Sequence, residues 1–173
     1  MNEQTDILLG RAAGRVWIRV NSHGNFQNSP PLKMAAENLI SHGETQFVVD
    51  LGGCTGMDST FMGTLSGIAL KLRRRNGALQ VVNAGERNRD SLVNLGLDAV
   101  MDIHERGSTN ADDAQPPAEP LPGESATTRE DKTRTMLDAH RALIEAQPAN
   151  RDQFEDVVEY LRRETEGKPG AQS

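Results

Sequence analysis

Residues Gln46-Phe47-Val48-Val49-Asp50-Leu51 form a short, nearly continuous apolar run of the kind that buried parallel strands carry. A small-residue loop, Gly52-Gly53-Cys54-Thr55-Gly56, follows it, and then a strong helical pattern runs from Asp58 to Arg75. Phe61, Met62, Leu65, Ile68, Ala69 and Leu72 repeat at spacings of three and four and mark the face that this helix buries. Asp58 is a natural N-cap, and Lys71, Arg73, Arg74 and Arg75 place cations at the negative end of the helix dipole. Asn76-Gly77 ends it.

The flanking segments extend the same alternation. Asp6–Gly10 and Arg15–Asn21 read as strands joined by a turn at Ala12-Ala13-Gly14, with Val16, Ile18 and Val20 on one face. Asn28-Ser29-Pro30-Pro31 opens a helix that Ser29 is placed to cap, and its apolar spacing persists to about Ser41. Leu79–Asn83 is a strand, Glu86–Asn94 a helix stopped by Gly96, and Val100–Ile103 a last short strand. The order β-β-α-β-α-β-α-β predicts an α/β fold, a mostly parallel sheet with helical cover.

Behind residue 105 the composition changes. The chain of 173 residues has a net charge of −6, and most of the acidic excess lies in this second part. Residues 106–127 are rich in Asp, Gln, Pro, Glu and Ser and poor in large apolar residues, so a flexible linker is expected. Two helices should follow over residues 128–166. Thr128 and Asp131 form an acidic capping box, and Met136, Leu137, His140, Leu143 and Ile144 share a face. Pro148 breaks the pattern; Asn150 and Gln153 should cap a second helix striped by Phe154, Val157, Val158 and Leu161. Residues 166–173 should fray. This helical hairpin can dock on its own core, pair two copies into a homodimer, or hold another protein.

Acidic balance argues against nucleic-acid binding, and no apolar run approaches the ~20 residues of a membrane helix. The single cysteine fits a reducing compartment, and the start of the chain shows no signal peptide. A cytoplasmic protein is expected.

The segment Asp50-Leu-Gly-Gly-Cys-Thr-Gly-Met-Asp58-Ser59-Thr60-Phe61-Met62-Gly63 resembles, without a gap, the signature of STAS domains, the family of bacterial anti-sigma-factor antagonists. The element order is also that family's, and the likeness spans roughly residues 6–105, which are therefore expected to form a STAS domain. It implies a binding protein without catalytic residues, cofactor or metal. Ser59 would be the phosphoacceptor of an anti-sigma factor with serine-kinase activity, reset by a serine phosphatase. The unphosphorylated form would bind the kinase. Thr60 and Phe61 stand where the family pattern has a second serine and a glycine, and Phe61 is either a core residue or an exposed contact. A partner surface is expected from Asp58, Ser59, Thr60 and Phe61. Arg87 and Arg89 should join it, because loops at the C-terminal ends of parallel strands lie together. The other reading is a scaffold or interaction module in a signalling or transport complex, never phosphorylated.

The physics of a helix start suits this role. Free N–H groups and a partial positive charge can hold a phosphate. Phosphorylation adds about −1.5 to −2 charges beside Asp58, which opposes it. Cys54 reads as a small packed residue at the strand–loop junction. His23, His42, His104 and His140 lack metal-ligand spacing and read as surface or helix-end residues. No Gly-x-Ser-x-Gly elbow and no visible triad support an enzyme.

Overall fold

A computed structural model describes residues 7–107, 118–121 and 127–166. Strands β1 (Ile7–Ala12) and β2 (Arg15–Val20) pair antiparallel around Ala13 and Gly14. Both turn residues have left-handed φ, 54° and 77°, as a tight hairpin turn requires. Then come β3 (His23–Gly24), α1 (Ser29–Ser41), β4 (Gln46–Asp50), β5 (Gly56–Met57), α2 (Ser59–Arg73), β6 (Ala78–Ala84), α3 (Glu86–Asn94) and β7 (Asp102–Glu105). The chain continues as β8 (Ala118–Pro120), α4 (Arg129–Ala146) and α5 (Arg151–Glu166). The expected mixed, mostly parallel sheet is observed: its order is β7-β6-β4-β2-β1-β8, with β2, β4, β6 and β7 parallel. β3 and β5 make a separate parallel pair.

Period-two alternation sorts the strands. Val16, Ile18, Val20, Phe47, Val49 and Val81 face the main core, where they meet Leu32 and Ile40 of α1 and Phe61, Leu65, Ile68 and Leu72 of α2. Trp17, Val48 and Val82 form a small cluster on the opposite face.

Several local expectations shift. α1 starts at Ser29 without a side-chain cap; the Ser29 hydroxyl instead donates to the Asn25 carbonyl at 2.6 Å. The last parallel strand begins two residues late, because Gly96 turns left-handed (φ 71°) and Leu97–Ala99 forms a 3₁₀ turn. Asn150 does not cap α5. Its buried side-chain amide donates to the carbonyls of Leu95 (2.9 Å) and Leu143 (2.8 Å), fastening the α4–α5 turn to the end of α3. The Thr128–Asp131 capping box forms as expected, with both bonds at 3.0 Å.

The composition of residues 106–127 predicts a flexible linker, yet Ala118–Pro120 is an edge strand. It pairs with Leu8–Gly10 of β1, and Leu121 is buried beside it. Main-chain pairing on an open sheet edge needs no apolar side chains, so composition did not reveal it. Residues 108–117 and 122–126 of that segment, Asp6 of the first strand, and the end expected to fray (167–173) lie outside the described residues.

The helical pair docks on its own core. Leu143 of α4 and Phe154 of α5 belong to the same apolar cluster as the sheet and α2. Leu143 is fully buried, so Leu143→Ala should cost about 2–5 kcal/mol. Because the core is continuous, urea unfolding should remain one transition at a lower midpoint; a separate early transition for α4 and α5 would contradict this.

Candidate functional site

Asp58 organises the start of α2. Its backbone is extended (φ −93°, ψ 176°), and one carboxylate oxygen accepts from Phe61 N–H at 2.8 Å, an N-cap. The other oxygen accepts from Phe26 N–H at 3.0 Å, and Asp58 N–H donates to the Gly24 carbonyl at 2.9 Å. One side chain therefore caps the helix and ties down the loop ahead of α1. Gly24 is required here: an added Cβ would lie 2.6 Å from the Phe61 ring.

The loop before Asp58 is fixed from several sides. Asp50, buried at the end of β4, accepts from Gly52 N–H (2.8 Å) and from the Asn83 amide (3.2 Å). Cys54 is buried, and its thiol donates to the Gly56 carbonyl at 3.2 Å. Burial pushes that thiol's pKa up, away from the reactive thiolate. Asn88 of α3 donates to the Cys54 carbonyl at 3.1 Å and brings α3 against the loop.

Ser59 is the first residue of α2 and is half-buried. Thr60 and Phe61, expected on the partner surface, are buried at 4% and 0% exposure; Phe61 is a core residue. Arg87 is exposed. Arg89 is engaged with Asp90 (3.3 Å) and Glu105 (3.1 Å).

The largest departure from expectation is His140. The sequence makes it a surface or helix-end residue, but it is 5% exposed and its Nε2 lies 2.9 Å from Ser59 Oγ. Its Nδ1 lies 2.7 Å from the Met136 carbonyl, which can only accept, so Nδ1 carries the hydrogen. In the neutral ring Nε2 then accepts, and the Ser59 hydroxyl donates. The ring packs on Phe154 at a centroid distance of 5.2 Å. Burial pushes the His140 pKa down, opposed by the Met136 carbonyl and the Asp58 carboxylate. The only sequence sign of this burial was that His140 shares a face with Leu137 and Leu143.

α4 reaches Ser59 because the outer face of α2 is built from small residues. Gly63, Ser66 and Gly67 meet Ala139 and Ala142: a Cβ on Gly63 would lie 2.2 Å from the Ala139 carbonyl oxygen, and Ser66 Oγ donates to the Ala142 carbonyl at 3.3 Å. Ion pairs border the contact, Lys33–Asp138 at 3.3 Å and Arg74–Glu145 at 2.8 Å. The Arg74–Glu145 pair is well exposed and is worth little beside the packing. A groove of about 290 Å³ between α1, α2 and α4 is lined by Gly63, Gly67, Lys71 and Asp138 among others, but neither Ser59 nor His140 faces it.

The model of the STAS domain family matches residues 8–110. Among solved structures, a Thermotoga maritima protein described as an anti-sigma factor antagonist, TM1081, superposes with a TM-score of 0.54 at 19% identity, covering 58% of this chain and 86% of that one. The Bacillus cell fate determinant SpoIIAA, in its phosphorylated form, gives 0.51 at 18% identity, covering 61% and 93%. These likenesses concern the fold. No curated protein matches the sequence.

Two outcomes follow. Asp58→Ala removes the α2 cap and should cost about 1 kcal/mol in urea unfolding, up to about 2. For His140 the folded pKa lies below the unfolded one, so the unfolded chain binds more protons as pH falls through the unfolded value near ~6.5. Its contribution is therefore complete above that pH and is lost below it. Between about pH 7.5 and about pH 5.5 the thermal midpoint of the wild type should fall more than that of His140→Gln; equal slopes would refute this.

Proposed function

The chain belongs to the STAS domain family, and we propose that it is an anti-sigma-factor-antagonist-like regulatory protein, acting in the cytoplasm by binding and switched by phosphate on Ser59. The observation that carries this reading is the position of Ser59: first residue of α2, directly after the capping Asp58, with its hydroxyl at the helix start. The partner is an anti-sigma factor with serine-kinase activity, and a serine phosphatase restores the hydroxyl. Phosphate there adds about −1.5 to −2 charges next to Asp58 and changes the surface more than the core.

The partner surface is then made of Asp58, Ser59 and the exposed Arg87, with Arg89 beside it. Thr60 and Phe61 support it from beneath rather than touching the partner. Binding rather than catalysis fits the surroundings of Ser59. His140 Nδ1 is held by a backbone carbonyl instead of a carboxylate, and the groove beside α2 does not open onto the pair.

The burial of α2 under α4 favours a second reading, a STAS scaffold that is never phosphorylated. Intact mass and peptide mapping of the protein from its native cells separate the two. The expected result is one added phosphate on Ser59 that disappears in Ser59→Ala. Unmodified Ser59 under all growth conditions would leave the scaffold.

A further inference from the structure

α2 is enclosed on two sides. One side of the helix packs into the sheet through Phe61, Leu65, Ile68 and Leu72. The other carries Gly63, Ser66 and Gly67 and is covered by α4. The Ser59 hydroxyl sits at one end of that cover and donates its hydrogen to His140.

We propose that α4 is an in-chain cover of the Ser59 end of α2, fastened there by the unmodified Ser59 hydroxyl and released from that end when Ser59 is phosphorylated, while Leu143 and Phe154 stay in the core. This rests on the reading of Ser59 as the modified residue. It makes the helical pair a competitor of the partner: a kinase must displace α4 to reach Ser59, and its apparent affinity falls by the fraction of chains in which α4 is docked.

Chemistry and geometry both support this release. In the transfer, a bond forms between Ser59 Oγ and the γ-phosphorus of a nucleoside triphosphate brought by the kinase. The bond from that phosphorus to the nucleoside diphosphate breaks, the diphosphate leaves, and the hydroxyl proton passes to the kinase's base or to water. The product has no hydrogen on Oγ to donate to His140 Nε2. Next, the added group brings three oxygens to a contact 2.9 Å long. One turn further on the helices leave no slack, since even a Cβ on Gly63 would meet the Ala139 carbonyl oxygen at 2.2 Å. The Asp58 carboxylate, held by Phe61 and Phe26 N–H groups, stays beside the phosphate and repels it. Finally, the His140 ring packs against Phe154, so the same contact anchors α5.

The test uses the full-length chain with phosphoserine encoded at position 59, compared with the unmodified chain by hydrogen exchange near neutral pH. Amides of residues 133–140 should lose protection by at least about tenfold, while those of β4, of the buried side of α2 and of the end of α4 around Leu143 keep theirs. Unchanged protection of α4, as when phosphate recruits a protonated His140 and the helix stays, would overturn the proposal. Gly63→Ala provides the phosphate-free control. It raises helix propensity inside α2 by about 1 kcal/mol, and its Cβ, 2.2 Å from the Ala139 carbonyl oxygen, pushes α4 away from the Ser59 end of α2. It should expose α4 to a similar degree, and an α4 as protected as in the wild type would also overturn the proposal. Native chains that never carry phosphate on Ser59, with α4 still released by encoded phosphoserine, would remove the switch reading and leave this coupling standing. Phosphate on native Ser59 with α4 still protected would do the reverse.

Discussion

The approach of α4 to α2 at Gly63 determines how the second part of the chain is used. Without a side chain at that position the Ala139 backbone can lie directly on the helix. Ala142 and Ser66 then meet one turn later. Close backbone approach gives many dispersion contacts over a small area, which compensates for the lack of large apolar side chains on this side of α2. Leu143 follows into the main core, and Phe154 brings α5 with it. Asn150 locks the far end by donating to the Leu95 carbonyl and to the Leu143 carbonyl, which also accepts from Gln147 N–H.

This packing changes the character of the Ser59 region. A serine at an open helix start would present a hydroxyl to any partner. Here the hydroxyl is directed at a neutral imidazole whose other nitrogen is committed to the Met136 carbonyl. The pair has the polarity of a nucleophile and its base, but lacks the carboxylate behind the ring that would stabilise an imidazolium. Asp58, whose charge acts on the ring, is bound to Phe61 and Phe26 N–H groups. What the arrangement supplies is a contact whose strength depends on the state of one oxygen atom.

The β3–β5 pair and the polar set around Asp50 do for the loop what the core does for the strands. Gly24 lies under the Phe61 ring, and the Asp58 N–H reaches the Gly24 carbonyl, so the helix start is fixed to the segment leading into α1. Asn88 connects α3 to the same loop through the Cys54 carbonyl. The scaffold under Ser59 is thus held from three elements.

Much of this was legible in the residues. Continuous apolarity at Phe47–Val49, alternation at Val16–Val20, helical spacing from Phe61 to Leu72, and caps at Asp58 and Thr128 act over a few neighbouring positions, and local periodicity determines them. Ser59 was found because it stands in a contiguous pattern with Asp50 and Asp58. The sequence by itself therefore determined the α/β order, the family and the placement of Ser59 at a helix start. Only the tertiary structure decided that the small residues Gly63, Ser66 and Gly67 form a second buried face, that residues 118–120 complete a sheet edge, and that His140 meets Ser59 across 81 positions. Small residues carry almost no hydrophobic signal, edge pairing uses only the main chain, and a histidine on an apolar stripe looks the same whether its ring faces water or a serine. Each of these depends on which distant surface arrives, and that is set by the packing of whole elements.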